Sequence, residues 1–454
     1  MNEYELYLLV CELSGKYLLV RIINNQYIYY DLHFKTLPYI EERGNEMFLV
    51  SIVKDESRNL QTELWYSVEK QYGQYLCDDY ADSFLLVVLA VAMHSKQDIK
   101  IDAPVSSRLL FNVHNTLQPI WQKVLPESKI IKVLAETRDD IIYNGKGVGC
   151  GCSLGVDSMS SLYKHMESDV VKGYGVTHLT IFNSGQFGDY DLEGAEKDFR
   201  SKVAALRSFS EETGLPVIGV NSNLNAFYKY CGVSLLQSFV QRTASCAMAL
   251  QKLFGKYIYA SSYSVEQSEI STIDESHIEC AFVPLLSTNN FEMILSNPGM
   301  TRVQKTEYIS RNPLTHKYLE VCWAGQTAKE IWHNTAFLEN KTKINCGWCD
   351  KCLRTLLTLD IVLGSVAAYG NIFELSQYYS RKREYIVKVF RERKHNYFYQ
   401  EMVELMFARQ YSVPYKAIYY YKKSVYQDKI IMILQKVLGL PQRALNKILR
   451  IFKK

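Results

Sequence analysis

The spacing of hydrophobic and polar positions changes along the chain, and these changes predict where strands, helices and domains begin. Residues 1 to about 75 alternate with a period of two and are rich in β-branched and aromatic side chains, which is typical of strands. In YLLVRIINNQYIYYDL an Asn-Asn pair separates two such runs, so an antiparallel unit with a hairpin is predicted. Residues 78–96 predict one apolar, buried helix. The stretch IDAPVSSRLLFNV contains Pro and Ser-Ser and predicts a loop that leads into a strand or a helix.

From about residue 146, short apolar runs alternate with longer amphipathic segments. GKGVGCGC, HLTIFNSG, PVIGVNSN and YIYASSYS predict strands, and the segments that follow the first three predict helices. Strands separated by helices at this spacing favour a parallel sheet covered on both faces, an α/β fold. Ligands bind such sheets at the carboxyl ends of the strands. SLGVDS, NSGQFGD and ASSYSVE occupy such positions.

Beyond about residue 365 the pattern is helical and increasingly basic. The tail IIMILQKVLGLPQRALNKILRIFKK has apolar residues at helical spacing with Lys and Arg between them. Such a helix binds an anionic membrane surface or a partner protein, or it packs on its own domain. Three parts are predicted: a β-rich domain with a buried helix (1–140), an α/β domain (146–365) and a basic helical region (366–454).

Composition narrows the location and the partners. With 454 residues, of which 48% are hydrophobic, the chain can bury more than one core. Its net charge of +4 does not mark it as a nucleic-acid binder. MNEYELYLLV carries acidic residues where a signal peptide would be basic, and the longest apolar run, 84–93, is too short for a bilayer. A cytoplasmic protein is therefore expected, whose 11 cysteines are free, buried or metal-bound.

The segment CGCSLGVDSMSS at 150–161 admits two functions. Its GCSLG fits the nucleophile elbow of a hydrolase, with Ser153 attacking and Gly151 and Gly155 permitting the turn. Such an enzyme also needs a histidine, for which the sequence offers several. The candidates are His165, His178, His277, His316 and His333. No HGGG-type oxyanion loop precedes the turn, and the segment before it predicts hairpins and one helix, not βα units.

The second function is a phosphate cradle. Backbone N–H groups of a glycine-containing turn and of the following helix bind anions. Ser153 and Ser158 add hydroxyl donors, and Asp157 can hold Mg²⁺ against a polyphosphate. The loop lacks the G-x-x-x-x-G-K-[ST] of a Walker A motif.

SLGVDS resembles the S-G-G-x-D-S loop of the N-type ATP pyrophosphatases, also called PP-loop ATPases. The resemblance implies a doubly wound fold of the adenine nucleotide alpha hydrolase type and cleavage of ATP to AMP and pyrophosphate. It implies nucleotide binding through the whole loop. The loop residues are Ser153, Leu154, Gly155, Val156, Asp157 and Ser158. Leu154 departs from the family's glycine, which reduces the freedom of the backbone there.

Four cysteines between residues 322 and 352 have metal-ligand spacing. Cys346, Cys349 and Cys352 form C-x-x-C-x-x-C, and Cys322 supplies a fourth thiolate. Four sulfurs without an open position favour structural Zn²⁺, with an iron–sulfur cluster as the weaker alternative.

With Arg354 behind it, this C-G-x-C-x-x-C is similar to the zinc knuckle of the cyano-deazaguanine synthase family, over about residues 146–365. That family converts a deazaguanine carboxylate to an amide and then a nitrile with ATP and ammonia. NSGQFGD resembles the family's Y-G-Q segment, which implies that Asn183, Gly185 and Gln186 shape the nucleotide pocket. Arg302 and Lys305 lie one helical turn apart and suit the charge of nucleotidyl transfer, or they are two solvated cations.

These features together predict an ATP-dependent ligase that uses ATP, Mg²⁺ and Zn²⁺. It would adenylate a carboxylate or amide oxygen of a small molecule or modified base, and ammonia or an amine would displace AMP. A sugar amidotransferase of surface-polysaccharide synthesis, a sulfur-transferring enzyme and a retired nucleotide-binding module are the alternatives. A sulfur carrier would need Cys150 or Cys152, whose place on a strand favours packing. Candidate partners are a second copy and, through the basic helix, a protein or a membrane.

Overall fold

The computed structural model describes residues 21–23, 26–28, 32–34, 37–55, 60–142, 145–167, 169–188, 193–322 and 343–438. The strands within these ranges are β1 (Arg21–Ile23), β2 (Gln26–Ile28), β3 (Leu32–Phe34), β4 (Tyr39–Arg43), β5 (Glu46–Asp55), β6 (Leu60–Glu69), β7 (Ile99–Ser106), β8 (Val133–Arg138), β9 (Gly147–Gly151), β10 (His178–Phe182), β11 (Val217–Ser222), β12 (Phe254–Ala260) and β13 (Glu292–Ser296). The α-helices are α1 (Asp82–Ser95), α2 (Ser107–Asn112), α3 (Gln118–Val124), α4 (Val156–Lys164), α5 (Glu193–Thr213), α6 (Leu224–Tyr230), α7 (Phe239–Met248), α8 (Glu279–Phe282), α9 (Arg302–Ile309), α10 (Thr315–Tyr318), α11 (Asp350–Leu363), α12 (Leu375–Glu392), α13 (Tyr397–Ala408) and α14 (Tyr415–Leu438).

The chain divides into two compact units. The first combines the chain up to Ser153 with Asp157–Gly299, and the second combines Leu154–Val156 with Met300–Lys454. The division does not coincide with the predicted boundaries at 140–146 and 365–366. The β-rich segment and the alternating βα segment share the first unit, because their strands join one sheet.

The first unit is built on an 11-stranded mixed sheet. Its order is β13-β12-β9-β10-β11-β6-β5-β3-β7-β8, and β4 pairs with β5. All four pairs among β9 to β13 are parallel. Numbered along the chain, these five strands have the order 3-2-1-4-5, which reverses beside the first strand, β9. The α/β class is confirmed as a mixed, mostly parallel sheet with helices, and the loop after β9 leaves the sheet at the reversal.

Small residues let β9 lie in the middle of this sheet. A Cβ on Gly149 would lie 2.9 Å from the ring of Tyr257 and 3.1 Å from that of Phe254. Tyr257 is fully buried and its hydroxyl lies 2.9 Å from Thr180 Oγ1 on the other neighbouring strand. The glycines of GKGVGCGC therefore make room for the rings of β12.

The N-terminal strands form a mixed array, not the purely antiparallel unit that was predicted. β1 pairs with β2 in antiparallel fashion, as expected for the hairpin, and the Asn-Asn pair between them lies outside the described residues. However, β3 pairs with β7 and β7 pairs with β8 in parallel. Pro104 lies within β7, where the register shifts between Ile101 and Val105. Proline lacks the N–H of a regular ladder and is tolerated at such an irregularity. IDAPVSSRLLFNV is therefore the end of a strand followed by α2, and the predicted loop is absent from this described segment.

The apolar helix predicted at 78–96 is α1, which begins at Asp82 and is buried through Met93. Asp82 is itself buried, and its carboxylate accepts hydrogen bonds from the backbone N and the hydroxyl of Ser106. These bonds link the start of the helix to the end of β7. Burial raises the pKa of the Asp82 carboxyl.

The second unit is helical over its described residues, as predicted for the C-terminal region up to residue 438. Residues 439–454 of the basic tail lie outside the described residues. The described helices include none with both the length and the apolar character that a bilayer crossing requires.

Candidate active site and metal centre

The SLGVDS loop connects β9 to α4. Ser153 is exposed, and its hydroxyl oxygen lies 3.1 Å from that of Ser158, which is buried in the first turn of α4. Asp157 also lies in this first turn. Two hydroxyls, a carboxylate and the start of a nine-residue helix therefore occupy six consecutive positions. This donor set fits a magnesium–polyphosphate group.

Leu154 has a backbone φ of 60°, in the left-handed region that glycine adopts most easily. Its side chain is 2% exposed, and its carbonyl accepts a 2.8 Å hydrogen bond from Glu320 N–H. A non-glycine residue in this conformation costs about 1 kcal/mol. Burial and the hydrogen bond offset that cost, so the loop keeps a glycine-like turn without a glycine.

The other predicted loop residues have distinct environments. Val156 is buried, as is Leu154. Their side chains are therefore committed to packing, and only their backbone is left to contact a ligand. Gly155 is partly exposed between them.

The predicted nucleotide-pocket residues follow β10. Asn183 is buried, donates 2.7 Å from Nδ2 to Asn221 Oδ1, and is thereby linked to the end of β11. Gln186 folds back on its own turn, since its Oε1 accepts from the Ser184 backbone N and its Nε2 donates to the Phe182 carbonyl. The role of Gln186 in nucleotide binding stays a prediction, and its amide already closes the turn.

Gly185 has a structural reason to be glycine. Its φ is 130°, and an added Cβ would lie 2.7 Å from Asn225 Oδ1 and 2.9 Å from an Arg242 guanidinium nitrogen. Arg242 is fully buried, donates 3.0 Å to Asn225 Oδ1, and its guanidinium stacks 3.8 Å from the ring centre of Tyr228. The turn after β10 thus lies directly on a buried cation that sequence reasoning did not single out.

Two of the candidate histidines, His178 and His165, lie away from Ser153 in the described part of the chain. His178 is the first residue of β10 and pairs with Gly149 of β9. It therefore lies at the amino end of its strand, whereas the loop follows the carboxyl end of β9. His165 follows the last turn of α4, about 14 Å along the helix from its first residue. Burial lowers the pKa of both imidazoles. His277 stacks on Tyr263, and His333 lies outside the described residues.

Arg302 and Lys305 lie in α9 of the second unit. Lys305 is only 1% exposed, so it is not the solvated surface cation that was one alternative. The Arg302 guanidinium lies 4.9 Å from the ring centre of Phe398, and the Arg354 guanidinium lies 4.2 Å from the same ring. A single phenyl ring of α13 thus contacts two guanidinium groups, an arrangement stabilised by cation–π attraction.

The four predicted metal ligands come together in the second unit. The Sγ atoms of Cys322, Cys346, Cys349 and Cys352 all lie within 4.8 Å of one another. The Sγ atoms of Cys346 and Cys352 are 3.8 Å apart, which equals the separation of about 3.8 Å expected for two sulfurs at 2.3 Å from a tetrahedral Zn²⁺. The cluster fits a metal ion such as zinc and has no open position.

Hydrogen bonds to sulfur orient the ligands. The backbone N–H of Cys346 points to Cys322 Sγ at 3.5 Å, and that of Cys349 points to Cys346 Sγ at 3.3 Å. Hydrogen bonds from the other three thiols lower the pKa of Cys322 far below its usual range. The same hydrogen bonds raise the pKa of Cys346 and of Cys352, so these two thiols keep their protons while Cys322 is the thiolate.

Asn345 and Gly347 hold the two halves of the knuckle together. Asn345 is fully buried; its Oδ1 accepts from the backbone N–H groups of Val321 and Cys322, and its Nδ2 donates 2.8 Å to the Leu319 carbonyl. Gly347 has a φ of 73°, and a Cβ there would lie 2.2 Å from the carbonyl oxygen of Glu374. Sequence reasoning missed Asn345, although its position directly before the first knuckle cysteine was a usable signal. Phe398 gave no signal, since aromatic residues are common throughout the chain.

No family model, curated protein or solved structure matched the chain in the comparisons.

Proposed function

We propose that the protein is an ATP-dependent ligase that releases AMP and pyrophosphate. The observation that carries the proposal is the S-L-G-V-D-S loop with Leu154 at a φ of 60°, at the carboxyl end of the strand beside which the strand order reverses. Crevices at such reversals are where open α/β sheets bind their ligands. The order 3-2-1-4-5 also supports the doubly wound, adenine nucleotide alpha hydrolase-like class that the loop implies.

The loop residues would bind the polyphosphate. The hydroxyl groups of Ser153 and Ser158 and the backbone N–H groups at the start of α4 donate to phosphate oxygens. Asp157 would hold Mg²⁺, and such an ion would supply positive charge for the leaving pyrophosphate. We assign nucleotide contacts also to Asn183 and Gly185. Stabilisation of transition-state charge by Arg302 and Lys305, on α9 of the second unit, stays a prediction.

The reaction consists of two displacements. An acceptor carboxylate or amide oxygen attacks the α-phosphorus, the bond between the α-phosphorus and the bridging oxygen breaks, and pyrophosphate leaves with the electron pair. Ammonia or an amine then attacks the activated carbon, loses a proton, and expels AMP as the C–O bond breaks. The protein supplies orientation and charge stabilisation in both steps.

The burial of the two cysteines beside the loop favours transfer of nitrogen over transfer of sulfur. Cys150 and Cys152 are both nearly inaccessible, and burial raises the pKa of the Cys150 thiol well above its usual range. A neutral, buried thiol is a poor sulfur carrier. The ten described cysteines form no disulfide with one another, which suits a reducing, cytoplasmic compartment. We assign the four-cysteine cluster a structural zinc ion.

The test is an ATP turnover assay that separates AMP from ADP, with carboxylate and amide acceptors and ammonia, for the full chain and an Asp157→Ala variant. We expect AMP and pyrophosphate, and a loss of at least about a hundredfold in the variant. Asp198→Ala is the matched control, because Asp198 is an exposed carboxylate on α5 and its loss should leave turnover unchanged.

Other products would point elsewhere. Formation of ADP would contradict the proposal. Nucleotide binding without turnover across a broad set of acceptors would instead support the retired nucleotide-binding module, and acceptance of sugars would select the sugar amidotransferase.

A further inference from the structure

The C-terminal helix α14 has two faces of different character. At 3.6 residues per turn, Ala417, Tyr421 and Ser424 lie on one side of the helix and residues 415, 419, 422, 426 and 429 lie on the other. Those five positions fall within about 80° of one another and extend over about 21 Å. Between residues 415 and 429 the helix is therefore divided into an inner and an outer face.

The inner face packs against the second unit. Ala417 is fully buried, and the Tyr421 ring lies 4.9 Å from that of Phe407 and 6.2 Å from that of Phe390. Arg393 donates 2.8 Å to the Ser424 hydroxyl. These contacts determine how α14 is rotated about its axis, and so which residues it turns outward.

The outer face carries three tyrosines and two lysines. Tyr415, Tyr419 and Tyr426 are 84%, 51% and 67% exposed. Lys422 and Lys429 are exposed on the same face, and Lys416 and Lys423 are exposed beside it. Within the described chain, no hydrogen bond or ion pair engages the five side chains of the outer face. Three large rings are thus held in water beside a row of cations.

Charge in this part of the chain has one sign. From Leu405 to Lys454 the sequence has 11 Lys and Arg residues and a single acidic residue, Asp428. The backbone of α14 continues as a helix through the apolar sequence IIMIL at 430–434. Tyrosine is an amphipathic ring suited to the boundary between lipid and water, and lysine is attracted to anionic headgroups.

We propose that the outer face of α14, defined as Tyr415, Tyr419, Lys422, Tyr426 and Lys429, binds an anionic lipid bilayer. The rings lie at the level of the headgroups, and the lysines pair with lipid phosphates. A helix that lies on the surface in this way needs no membrane-spanning segment. Nucleic acid would also attract lysines and stack on tyrosines. The sequence IIMIL at 430–434, which follows in the same helix, favours the bilayer, because aliphatic residues suit lipid and have no counterpart in binding a phosphate backbone.

The test is co-sedimentation of the full chain with vesicles of phosphatidylcholine and with vesicles of phosphatidylglycerol, at increasing salt. We expect binding to phosphatidylglycerol that weakens as salt screens the charges. Lys422→Glu with Lys429→Glu should lower the partition coefficient at least about 30-fold, since each lysine near such a surface contributes about a factor of five. Tyr415→Ser with Tyr426→Ser keeps the charge and should also weaken binding.

The matched control is Lys172→Glu with Lys197→Glu, which changes the net charge equally at two exposed lysines of the first unit. We expect this pair to bind vesicles like the unchanged protein. Equal binding to both lipids, an equal loss in the control pair, or binding to poly(U) without binding to vesicles would overturn the proposal. AMP formation without vesicles should be unchanged in all these variants, so failure here is separate from failure of the proposed ligase.

Discussion

Single residues in unusual environments support the candidate site, and Leu154 is the first of them. Its φ of 60° would be relaxed for glycine, yet its side chain is buried. The left-handed backbone lowers the free energy of unfolding, while the burial of the side chain raises it. Substitutions that change one of these effects without the other can separate them.

For Leu154→Ala we expect the free energy of unfolding to fall by about 2–4 kcal/mol, because the buried side chain is lost while φ stays left-handed. Leu154→Gly loses the same side chain but relaxes the backbone, so it should be about 1 kcal/mol more stable than the alanine variant. Urea denaturation measures both. If residue 154 had an ordinary negative φ, the alanine variant would be more stable than the glycine variant. That result would contradict the left-handed conformation.

Asn345 is the second such residue, because its buried side chain links the backbone at Leu319–Cys322 to the carbonyl of Ile372. Asn345→Asp keeps the acceptor for Val321 and Cys322 but loses the donor to the Leu319 carbonyl. We expect zinc to be released 10- to 100-fold faster, on the order seen when groups that orient metal ligands are removed. Release to a coloured chelator measures the rate.

Asn396→Ala is the control for this prediction. Asn396 caps α13 in the same unit by accepting a hydrogen bond from Tyr399 N–H. Its loss should lower stability by about 1 kcal/mol and leave the zinc release rate unchanged. Equal release rates in the Asn345 and Asn396 variants would show that Asn345 does not orient the ligands.

Among the elements, α7 begins on a buried carboxylate. Glu275 is 1% exposed and accepts a hydrogen bond from Val240 N–H in the first turn of α7. Burial raises the pKa of this carboxyl to about 8. The native protein therefore holds a proton on Glu275 at pH values where the unfolded chain has released it, at its ordinary pKa of about 4.3.

From this we expect stability to fall as pH rises from about 4.5 to about 8, because the native state binds more protons than the unfolded state in that range. Glu275→Gln keeps an acceptor for Val240 without the ionisation, so its unfolding free energy should lack this decline. The gain over the unchanged protein should appear as pH approaches 8 and vanish near pH 4. Urea denaturation across pH tests it, and parallel pH profiles for the two proteins would refute it.

Elements also illustrate what pattern alone predicts. The alternation of GKGVGCGC, HLTIFNSG and PVIGVNSN is local, and β9, β10 and β11 occur where expected. The parallel pairing of β7 with β3 and β8 was not expected, since those partners are distant in sequence. Pro104 predicted a loop because proline disrupts a regular strand. The irregularity that accommodates it within β7 depends on the pairing with β8, which the local sequence does not reveal.

On the scale of the whole molecule, the two units are stabilised differently. The first has a large core in which α1 and α7 are buried almost throughout. In the second, the segment Leu319–Cys322 and the start of α11 meet at the cysteine cluster and at Asn345. A metal ion bound at this cluster should therefore stabilise mainly the second unit.

Accordingly, removal of the metal by a chelator should increase amide hydrogen exchange in residues 300–322 and 343–363 and leave β9 to β13 protected. Hydrogen exchange with peptide resolution checks this, and added Zn²⁺ should restore protection. Exchange that rises equally in both units would contradict separate stabilisation.

The sequence by itself determined the local features of this protein: the alternation that produces strands and helices, the six residues of the loop, and the C-x-x-C-x-x-C spacing of Cys346, Cys349 and Cys352. These depend on side-chain chemistry and on neighbours within a few residues. Cys322 was also predicted from the sequence as the fourth ligand, and the structure brings it to the other three cysteines. Only the tertiary structure decided that the N-terminal strands extend the parallel sheet through β6 and β11. It also decided that Lys305 is buried and that Tyr415 and Lys422 face outward, because burial depends on which distant segments pack together.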